Sequence, residues 1–558
     1  MHDALHVVWA SPTANRVVTQ DGTWILAGTR PNRLAEQIET GADVDDIVEG
    51  FDADDAVAVR IGDDGRLDAY RSVTATRNVY VADVPDGPVV VADCFRNALA
   101  ELPVEDRTVS QRAVADHLLF RNPIEPETYV EAIRGLEHGC HLTYDPATGD
   151  RQTRLVDRLD PDGETAVDTA PSRIHDVLTT VLDETLPDRR VRNMLSGGVD
   201  STLLHTYLGD APALVMATDS PEFASEVDAA DRAVAMLDVP TDRHDVAESA
   251  FLSHLEASVD ALGFPSHYNQ TVLTDAVFRA AESGVYVNGE GADALFGLPA
   301  VKGARVADRL APLFAAPGLT TLWRRGVASV LPRATHLPDI ASWLDRPITD
   351  PSAFAQRLPF YTDPEVVAQC TDEATVESRF RRQTEYVQRR VERSSGGRFV
   401  DHAELGHLLS AFRHNAAEQW RQLGYVHGHE LVAPFKTRRL TACALSVPPA
   451  RRYVGGRGSF TPKHLLKSLL KRRLPAYPVR QPKGAGSLPV ERYFEDGPLT
   501  NVFERYDPPE FVPAAMYEDH VEQFGPVTWN LITFAIWRDR VLQNPDLSRV
   551  EGTTVVEA

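Results

Sequence analysis

The chain has 558 residues, 43% of them hydrophobic, and its 57 basic and 81 acidic residues give a formal net charge of −24. This acidic surplus argues against a general nucleic-acid binder, because proteins hold nucleic-acid backbones with a surplus of Lys and Arg, and no run of about 18 apolar residues is present to cross a membrane. We therefore expect neither a nucleic acid nor a membrane as a partner. The start of the chain lacks the basic and apolar segments of a secretory signal, and the four cysteines are far apart, which predicts reduced thiols and a cytoplasmic protein.

The basic residues are strongly biased toward arginine. Lysine accounts for only 6 of the 57 basic residues. Together with abundant aspartate, this composition is typical of proteins from salt-loving organisms, in which a high negative charge maintains solubility while salt screens self-repulsion. An ordinary acidic protein with a chance bias toward arginine is the alternative.

The first part of the chain, residues 1–165, is rich in short apolar runs bounded by Gly, Pro and Asp, which predicts β-strands. These runs are Leu5–Trp9, Trp24–Leu26, Ala56–Val59, Asn78–Val81 and Val89–Ala92. The polar stretch Arg158–Pro171 follows without periodicity and is the best candidate for a linker.

Residues 166–558 show alternating helical and strand patterns instead. Apolar residues recur with helical spacing from Ile174 to Leu182, and two short apolar strands follow at Ala213–Ala217 and Val285–Val287. Strands separated by helices predict a parallel sheet, and the chain beyond about residue 300 is mostly helical. We therefore predict an α/β protein with domains at residues 1–165 and 166–558.

The strongest motif is the segment 195–201, which reads Leu-Ser-Gly-Gly-Val-Asp-Ser between a predicted strand, Val191–Leu195, and a predicted helix. Its glycines allow a tight turn that points backbone N–H groups at an anion, and the helix N-terminus adds partial positive charge. The residues expected to bind phosphate and Mg²⁺ are Ser196, Gly197, Gly198, Asp200 and Ser201. Because no Gly-Lys-Ser/Thr follows, this is not a Walker A loop, and it suits departing pyrophosphate better than γ-phosphoryl transfer. A plain glycine turn with an N-cap serine is the alternative.

A second glycine-rich motif covers residues 288–297 and reads Asn-Gly-Glu-Gly-Ala-Asp-Ala-Leu-Phe-Gly. It follows the predicted strand Val285–Val287 and opens a helix, and its glycines allow the backbone to approach a ligand closely. Glu290 and Asp293 are carboxylates three residues apart, so this turn can complete a metal site across a cleft from the first motif. Solvated charges that favour a helix start are the alternative.

Four of the six lysines lie between residues 463 and 483. Lys463, Lys467 and Lys471 recur at the spacing of one helix face, and we expect Thr461 to cap this helix with Pro462 at its first position. In a chain that otherwise prefers arginine, this pattern favours a requirement for a compact ammonium. A solvated basic face is the alternative.

These motifs together resemble the synthetase domain of the asparagine synthetase family, which is of the PP-loop adenine-nucleotide α-hydrolase type. Further segments that match in order are Pro462–Lys467, Leu474-Pro475, Arg480–Lys483 and, more weakly, Val432–Phe435, after which Lys436 stands where the family has Leu. The resemblance covers about residues 170–490. Upstream, the segments Ala56–Leu99 and Leu136–His141 resemble the family's amino-terminal glutaminase domain, which implies a glutaminase-like α/β sandwich before the parallel-sheet domain.

The resemblance implies that ATP activates a carboxylate, aspartate or an aspartate-like acid, as an acyl-adenylate, that pyrophosphate leaves, and that ammonia or an amine then attacks. It implies catalytic roles for Glu290, in forming the adenylate, and for Lys463, in neutralising charge beside the α-phosphate. Asp200 and Asp293 would hold Mg²⁺. The positions implied to contact ATP are Leu195, Ser196, Gly197, Gly198, Asp200, Ser201, Ala217, Asn288, Gly289 and Lys483.

The sequence also departs from the family pattern. The family's glutaminase nucleophile is a cysteine after the initiator Met, whereas His2 stands here and the first cysteine is Cys94. We therefore interpret residues 1–165 as a degenerate domain without glutaminase activity. Ala294 and Leu298 replace the Glu and the Gly-Tyr expected after the second motif, which concerns the substrate pocket. A non-catalytic or regulatory family member, a lactam-forming or other biosynthetic amide synthetase, and a tRNA-modifying PP-loop enzyme remain alternatives, and a homodimer is possible.

Overall fold

The computed structural model describes residues 5–28, 31–40, 55–159, 165–186, 190–297, 304, 308–309, 362–390, 404, 416–453, 461–479, 488–521, 524 and 526–557. The predictions made for His2, Leu298 and Lys483 concern residues outside this part of the chain. Most of the stretch 300–400, for which helices were expected, also lies outside it.

Two β-sheets face each other in the first part of the chain. Their strands are β1 (Leu5–Trp9), β2 (Asn15–Thr19), β3 (Gly22–Ala27), β4 (Val57–Gly62), β5 (Leu67–Arg71), β6 (Tyr80–Asp83), β7 (Val89–Ala92), β8 (Ile133–Gly135), β9 (Cys140–Asp145), β10 (Asp150–Leu155) and β16 (Thr554–Glu557). One sheet has the order β16-β1-β7-β6-β8 and the other β10-β9-β5-β4-β3-β2. Val7, Ile25, Val59 and Val91, which come from both sheets, belong to one buried apolar cluster. This burial explains why the apolar runs were visible in the sequence.

Helices cover the outer faces of both sheets. They are α1 (Pro31–Glu39), α2 (Phe95–Ala100) and α3 (Gln111–Phe120). Leu34 of α1 packs with Trp24 of β3, and Phe95 of α2 packs in one cluster with Val90 of β7. The first part of the chain is thus an α/β sandwich, and its likeness to a glutaminase stays a prediction.

A parallel sheet lies in the second part of the chain. Its strands are β11 (Val191–Met194), β12 (Ala213–Thr218), β13 (Thr241–Val246), β14 (Val285–Val287) and β15 (Glu430–Val432). They follow the order β13-β12-β11-β14-β15, and every neighbouring pair is parallel. The predicted α/β class with a parallel sheet is therefore confirmed.

The helices of the second part surround this sheet and continue beyond it. They are α4 (Ala170–Thr185), α5 (Val199–His205), α6 (Ala224–Leu237), α7 (Phe251–Leu262), α8 (Gln270–Ala280), α9 (Ala292–Phe296), α10 (Pro364–Cys370), α11 (Glu373–Gln388), α12 (Ala416–Val426), α13 (Arg438–Ser446), α14 (Pro449–Arg452), α15 (His464–Arg473), α16 (Val490–Glu495), α17 (Val502–Arg505), α18 (Ala514–Val521) and α19 (Pro526–Trp537). The residues described contain no helix with both the length and the apolar character needed to cross a membrane. The predicted linker, Arg158–Pro171, extends too far along the chain. Helix α4 already starts at Ala170, and Pro171 fits its first turn.

The strand order reverses between β11 and β14. From β11 the chain proceeds outward to β12 and β13, and it then returns to the other side of β11 for β14 and β15. Ligands of open α/β sheets bind at such a point, outside the carboxyl ends of the strands. Both glycine-rich motifs directly follow these two central strands, so the fold brings them to the same edge of the sheet.

The two parts of the chain are tied together at several places. The last strand, β16, pairs antiparallel with β1, so the end of the chain belongs to the first sheet. Buried ion pairs also cross between the parts: Arg77 Nη2 lies 2.7 Å from Glu430 Oε1, and Arg421 Nη2 lies 2.7 Å from Asp55 Oδ2. The predicted division after residue 165 stays a prediction, but the two parts share a sheet and a charged interface.

Candidate active site

The first glycine loop connects β11 to α5 and packs tightly on a neighbouring helix. Gly197 has a φ of +70°, which L-residues with a side chain rarely adopt. A Cβ at this position would lie 2.2 Å from the backbone carbonyl of Ala229 in α6. Only glycine therefore allows the loop to turn at this place.

Two serine hydroxyls hold this loop together. The Ser196 N–H donates to Ser201 Oγ at 3.2 Å, and the two hydroxyl oxygens are themselves 3.2 Å apart. The Gly198 N–H lies 3.4 Å from Ser196 Oγ. Backbone and hydroxyl donors are thus concentrated within one turn, as a site for phosphate oxygens requires.

Tyr477 supports the same loop, which the sequence motifs did not reveal. Its hydroxyl donates to the carbonyl of Gly197 at 2.6 Å, and the side chain is buried. Burial raises the pKa of Tyr477, so the hydroxyl keeps its proton and remains a donor. Tyr477 lies just after the Leu474-Pro475 pair, but nothing in the sequence distinguished it.

The second glycine loop lies against the start of α5. A Cβ at Gly289 would be 3.1 Å from Cβ of Asp200 and 3.3 Å from the Ser201 nitrogen. The Asn288 N–H donates to the Val432 carbonyl at 2.9 Å, while Asn288 Oδ1 accepts from the Glu290 N–H at 3.1 Å. The structure therefore brings the two motifs into direct contact.

Lys463 joins both loops. Its Nζ forms a close ion pair with Asp200 and lies 2.7 Å from Asp293 Oδ1. Burial lowers the pKa of Lys463, but the attraction of the two carboxylates outweighs it and holds that pKa above its usual value. The lysine therefore carries a positive charge where two acidic side chains from different loops meet.

The predicted start of the lysine helix is wrong. Helix α15 begins at His464, and Lys463 occupies the N-cap position in the left-handed region at φ 57°, so neither Thr461 nor Pro462 takes its expected place. The Lys463 N–H instead donates to the Phe296 carbonyl of α9 at 2.8 Å. This bond ties the lysine to the second loop and prevents the helix from extending backward.

Comparison with known proteins assigns the family. The family model for asparagine synthase matches residues 175–524, well over half of the chain. The chain belongs to the asparagine synthase family. A shorter match, 30% identical over 98 residues, links it to phosphoribosylformylglycinamidine synthase subunit PurL of Chlorobium chlorochromatii (strain CaD3), and it spans 17% of this chain and 12% of that protein.

Because the chain belongs to the asparagine synthase family, a nucleotide site is expected at the switch point. The residues at the switch point fit a nucleotide. Asn288 Nδ2 is buried and makes no hydrogen bond with any of the residues described, so it remains available to a ligand. Leu195 is buried at the start of the loop, and Ala217 is buried near the carboxyl end of β12, the strand that pairs with β11. The individual roles of these residues stay predictions.

Asp200 and Asp293 also fit a Mg²⁺ site. Mg²⁺ is usually held by one or two carboxylates together with substrate phosphates and waters. Asp200 and Asp293 both pair with the ammonium of Lys463, so their carboxylates lie close to one point, and the side chain of Asp293 is 77% exposed to solvent. No cluster of three His, Cys, Asp or Glu that could bind a metal occurs in the described ranges, so a metal here would rely on phosphate oxygens for the rest of its shell.

The remaining lysines of the group differ from Lys463. Burial and the Lys463 charge lower the pKa of Lys467, whereas Lys471 Nζ donates to the Pro475 carbonyl. The sequence analysis noted Lys436 only as a departure from the family pattern and gave it no role, whereas the structure buries it beside the second loop. The signal was present, because Lys436 is one of only six lysines and stands at a position where the family has Leu.

Proposed function

We propose that this protein is an AMP-forming ligase that activates a small carboxylate, aspartate or an aspartate-like acid, and joins it to ammonia or an organic amine. One observation carries the proposal: the Lys463 ammonium lies between Asp200 and Asp293, at the contact of the two glycine loops. With ATP bound at the two loops, an ammonium at that place would neutralise charge that develops between the α- and β-phosphates.

The proposed reaction has two steps. An oxygen of the carboxylate attacks the α-phosphorus of ATP, so that an acyl–phosphate bond forms and the bond to the β-phosphate breaks, which releases pyrophosphate. The amine nitrogen then attacks the acyl carbon, AMP departs with the electron pair, and the amine loses a proton. Mg²⁺, when bound, would supply charge neutralisation on the phosphates.

The chain's own residues would act mainly by positioning and electrostatics. The loop around Gly197 would hold the departing pyrophosphate, and Lys463 would stabilise the charge on it; preorganised donors of this kind are typically worth about 3–4 kcal/mol each. Glu290, in the second glycine loop, would act in the first step, in which the carboxylate substrate forms the adenylate. Asn288 and Leu195 would contact the nucleotide.

We propose that the amine comes from solution and is not released from glutamine by this chain. The first cysteine, Cys94, is 2% exposed, and burial raises the pKa of its thiol, which opposes a role as nucleophile. A buried, protonated thiol does not attack an amide. Free ammonium and organic amines are therefore the donors to try first.

The test is ATP–pyrophosphate exchange with a panel of carboxylates, in low salt and in molar KCl. One acid should support exchange, and adding hydroxylamine should convert that acid to its hydroxamate, because hydroxylamine traps an activated acyl group. Omitting Mg²⁺ or replacing Lys463→Met should abolish both signals. Formation of ADP and phosphate would contradict the proposal, and binding of Mg–ATP without exchange for any acid would indicate a non-catalytic family member.

A further inference from the structure

A buried lysine lies behind the second glycine loop. Lys436 ends a short 3₁₀ turn, Pro434–Lys436, that follows β15, and only 3% of its surface is exposed. Its Cδ lies 3.1 Å from the point where a Cβ would stand on Gly291, whose φ is +94°. The aliphatic part of Lys436 thus packs on the backbone of the loop, in space that any other residue at 291 would fill.

The ammonium of Lys436 is attracted by three carboxylates. They belong to Glu418 of α12, to Glu290 of the second loop and to Asp55 of the first part of the chain. Burial lowers the pKa of Lys436 to about 8, although all three carboxylates favour its charged form. A buried cation among three acids is stable only where the surrounding charges are held in place.

Two of these carboxylates are fixed by arginines. Glu418 Oε1 lies 3.3 Å from Arg71 Nη2, and Asp55 accepts from Arg421 Nη2 at 2.7 Å. Both belong to the buried interface between the two parts of the chain. Glu290, in contrast, lies on the loop whose backbone turns at the candidate site.

We propose that Lys436 is a positioning residue whose ammonium holds the Glu290 carboxylate in place, while Glu418 and Asp55 attract the same ammonium. This inference rests on the proposed function for its catalytic consequence, but not for the pairing itself. It gives the first part of the chain a role at the synthetase site, since Asp55 contributes a charge to the support of Glu290.

A double-mutant cycle tests the pairing without any substrate. Lys436→Met, Glu290→Gln and the double variant of the full-length protein would be unfolded in urea, since Met preserves the unbranched stem and removes the charge. If the pair interacts, the double variant should be less destabilised than the sum of the two single variants. We expect its equilibrium constant for unfolding to be at least fivefold lower than the value calculated by adding the two single effects. Additive effects would overturn the proposal. Lys436→Gln replaces the Met variant in the cycle if that variant does not fold.

A kinetic measurement separates positioning from general stability. With the acid that supports pyrophosphate exchange, Lys436→Met should lower kcat tenfold or more while the KM for ATP stays within twofold. Arg379→Met is the matched control, because it removes the cation of a different buried ion pair, Arg379–Asp116, away from the loop. This variant should have a lower Tm and an unchanged kcat. Equal loss of kcat in both variants would overturn the positioning role. Absence of exchange in the wild type would contradict the proposed function. The double-mutant cycle measured by unfolding in urea would still test the Lys436–Glu290 pair.

Discussion

Nζ of Lys463 lies 2.7 Å from Oδ1 of Asp293 and forms a second ion pair with Asp200, so that one ammonium bridges the loops that follow β11 and β14. The two acids come from different loops, and without a cation between them they would repel each other. A divalent metal bound by these two carboxylates would therefore stabilise the same pair that the ammonium stabilises. This relationship can be measured without a substrate.

The substitution Lys463→Met should make the stability of the protein depend on magnesium. In EDTA the variant keeps both carboxylates without their ammonium, and losing Lys463 as the partner of the largely buried Asp200 costs about 3 kcal/mol. Because Mg²⁺ can replace the missing charge, MgCl₂ should raise the Tm of Lys463→Met by more than it raises the wild-type Tm. Lys471→Met is the control on the same helix, since Lys471 binds the Pro475 carbonyl and should show the wild-type response. Equal magnesium responses in all three proteins would refute the bridging role.

A glycine substitution should separate the effect of backbone strain from the effect of the shape of the first glycine loop. Gly197 and Gly209 both have positive φ values, +70° and +59°, but a Cβ meets the Ala229 backbone at 2.2 Å in the first case and nothing within 4 Å in the second. Gly209→Ala should therefore lower the free energy of unfolding by about 1–2 kcal/mol, the usual cost of left-handed backbone. Gly197→Ala should cost more and abolish Mg–ATP binding in a calorimetric titration. Normal ATP binding by Gly197→Ala would show that the loop shape does not matter.

The candidate site could be placed from the sequence because its parts carry strong local signals. A glycine loop after a short apolar strand has few structural interpretations, and both loops lie where this pattern put them. Buried strands such as Val89–Ala92 were visible for the same reason, since both of their faces are covered and the run is continuously apolar. Helix α4 was visible from its periodic apolar face.

Other elements had no local signal. The edge strand Asp150–Leu155 is largely exposed and polar, and Glu430–Val432 has only three residues, so pairing with neighbouring strands determines both. The cap at Lys463 depends on a bond to Phe296, far away in the sequence. Tyr477 likewise acquires its role only through the fold. Long-range contacts of this kind determine structure without leaving a periodic pattern.

Breaking the charged interface should destabilise the whole chain. Arg421 pairs with Asp55 from the first part and with Glu430 of β15, and all three side chains are buried. Arg421→Met leaves both carboxylates without this partner, so the free energy of unfolding should fall by about 3–5 kcal/mol. Arg243→Met removes exposed pairs with Asp231 and Asp245 and should cost no more than about 1 kcal/mol. Urea unfolding of both variants measures the difference, and similar losses would contradict the importance of the interface.

Acid should destabilise the protein through a buried histidine in α3. His117 contacts the Tyr129 hydroxyl at 2.8 Å through Nδ1 and Asn530 Oδ1 at 3.2 Å through Nε2, and burial lowers its pKa from 6.5 to about 3. Between these values the unfolded chain binds one more proton than the folded protein, so the free energy of unfolding falls as the pH falls, by up to about 1.4 kcal/mol per pH unit. His117→Gln should reduce this slope between pH 6.5 and pH 3, as urea unfolding at several pH values would measure. Tyr129→Phe removes the same hydrogen bond but no group that titrates in this range, so it should lower stability equally at every pH. An unchanged slope in His117→Gln would show that the imidazole is already protonated in the folded protein.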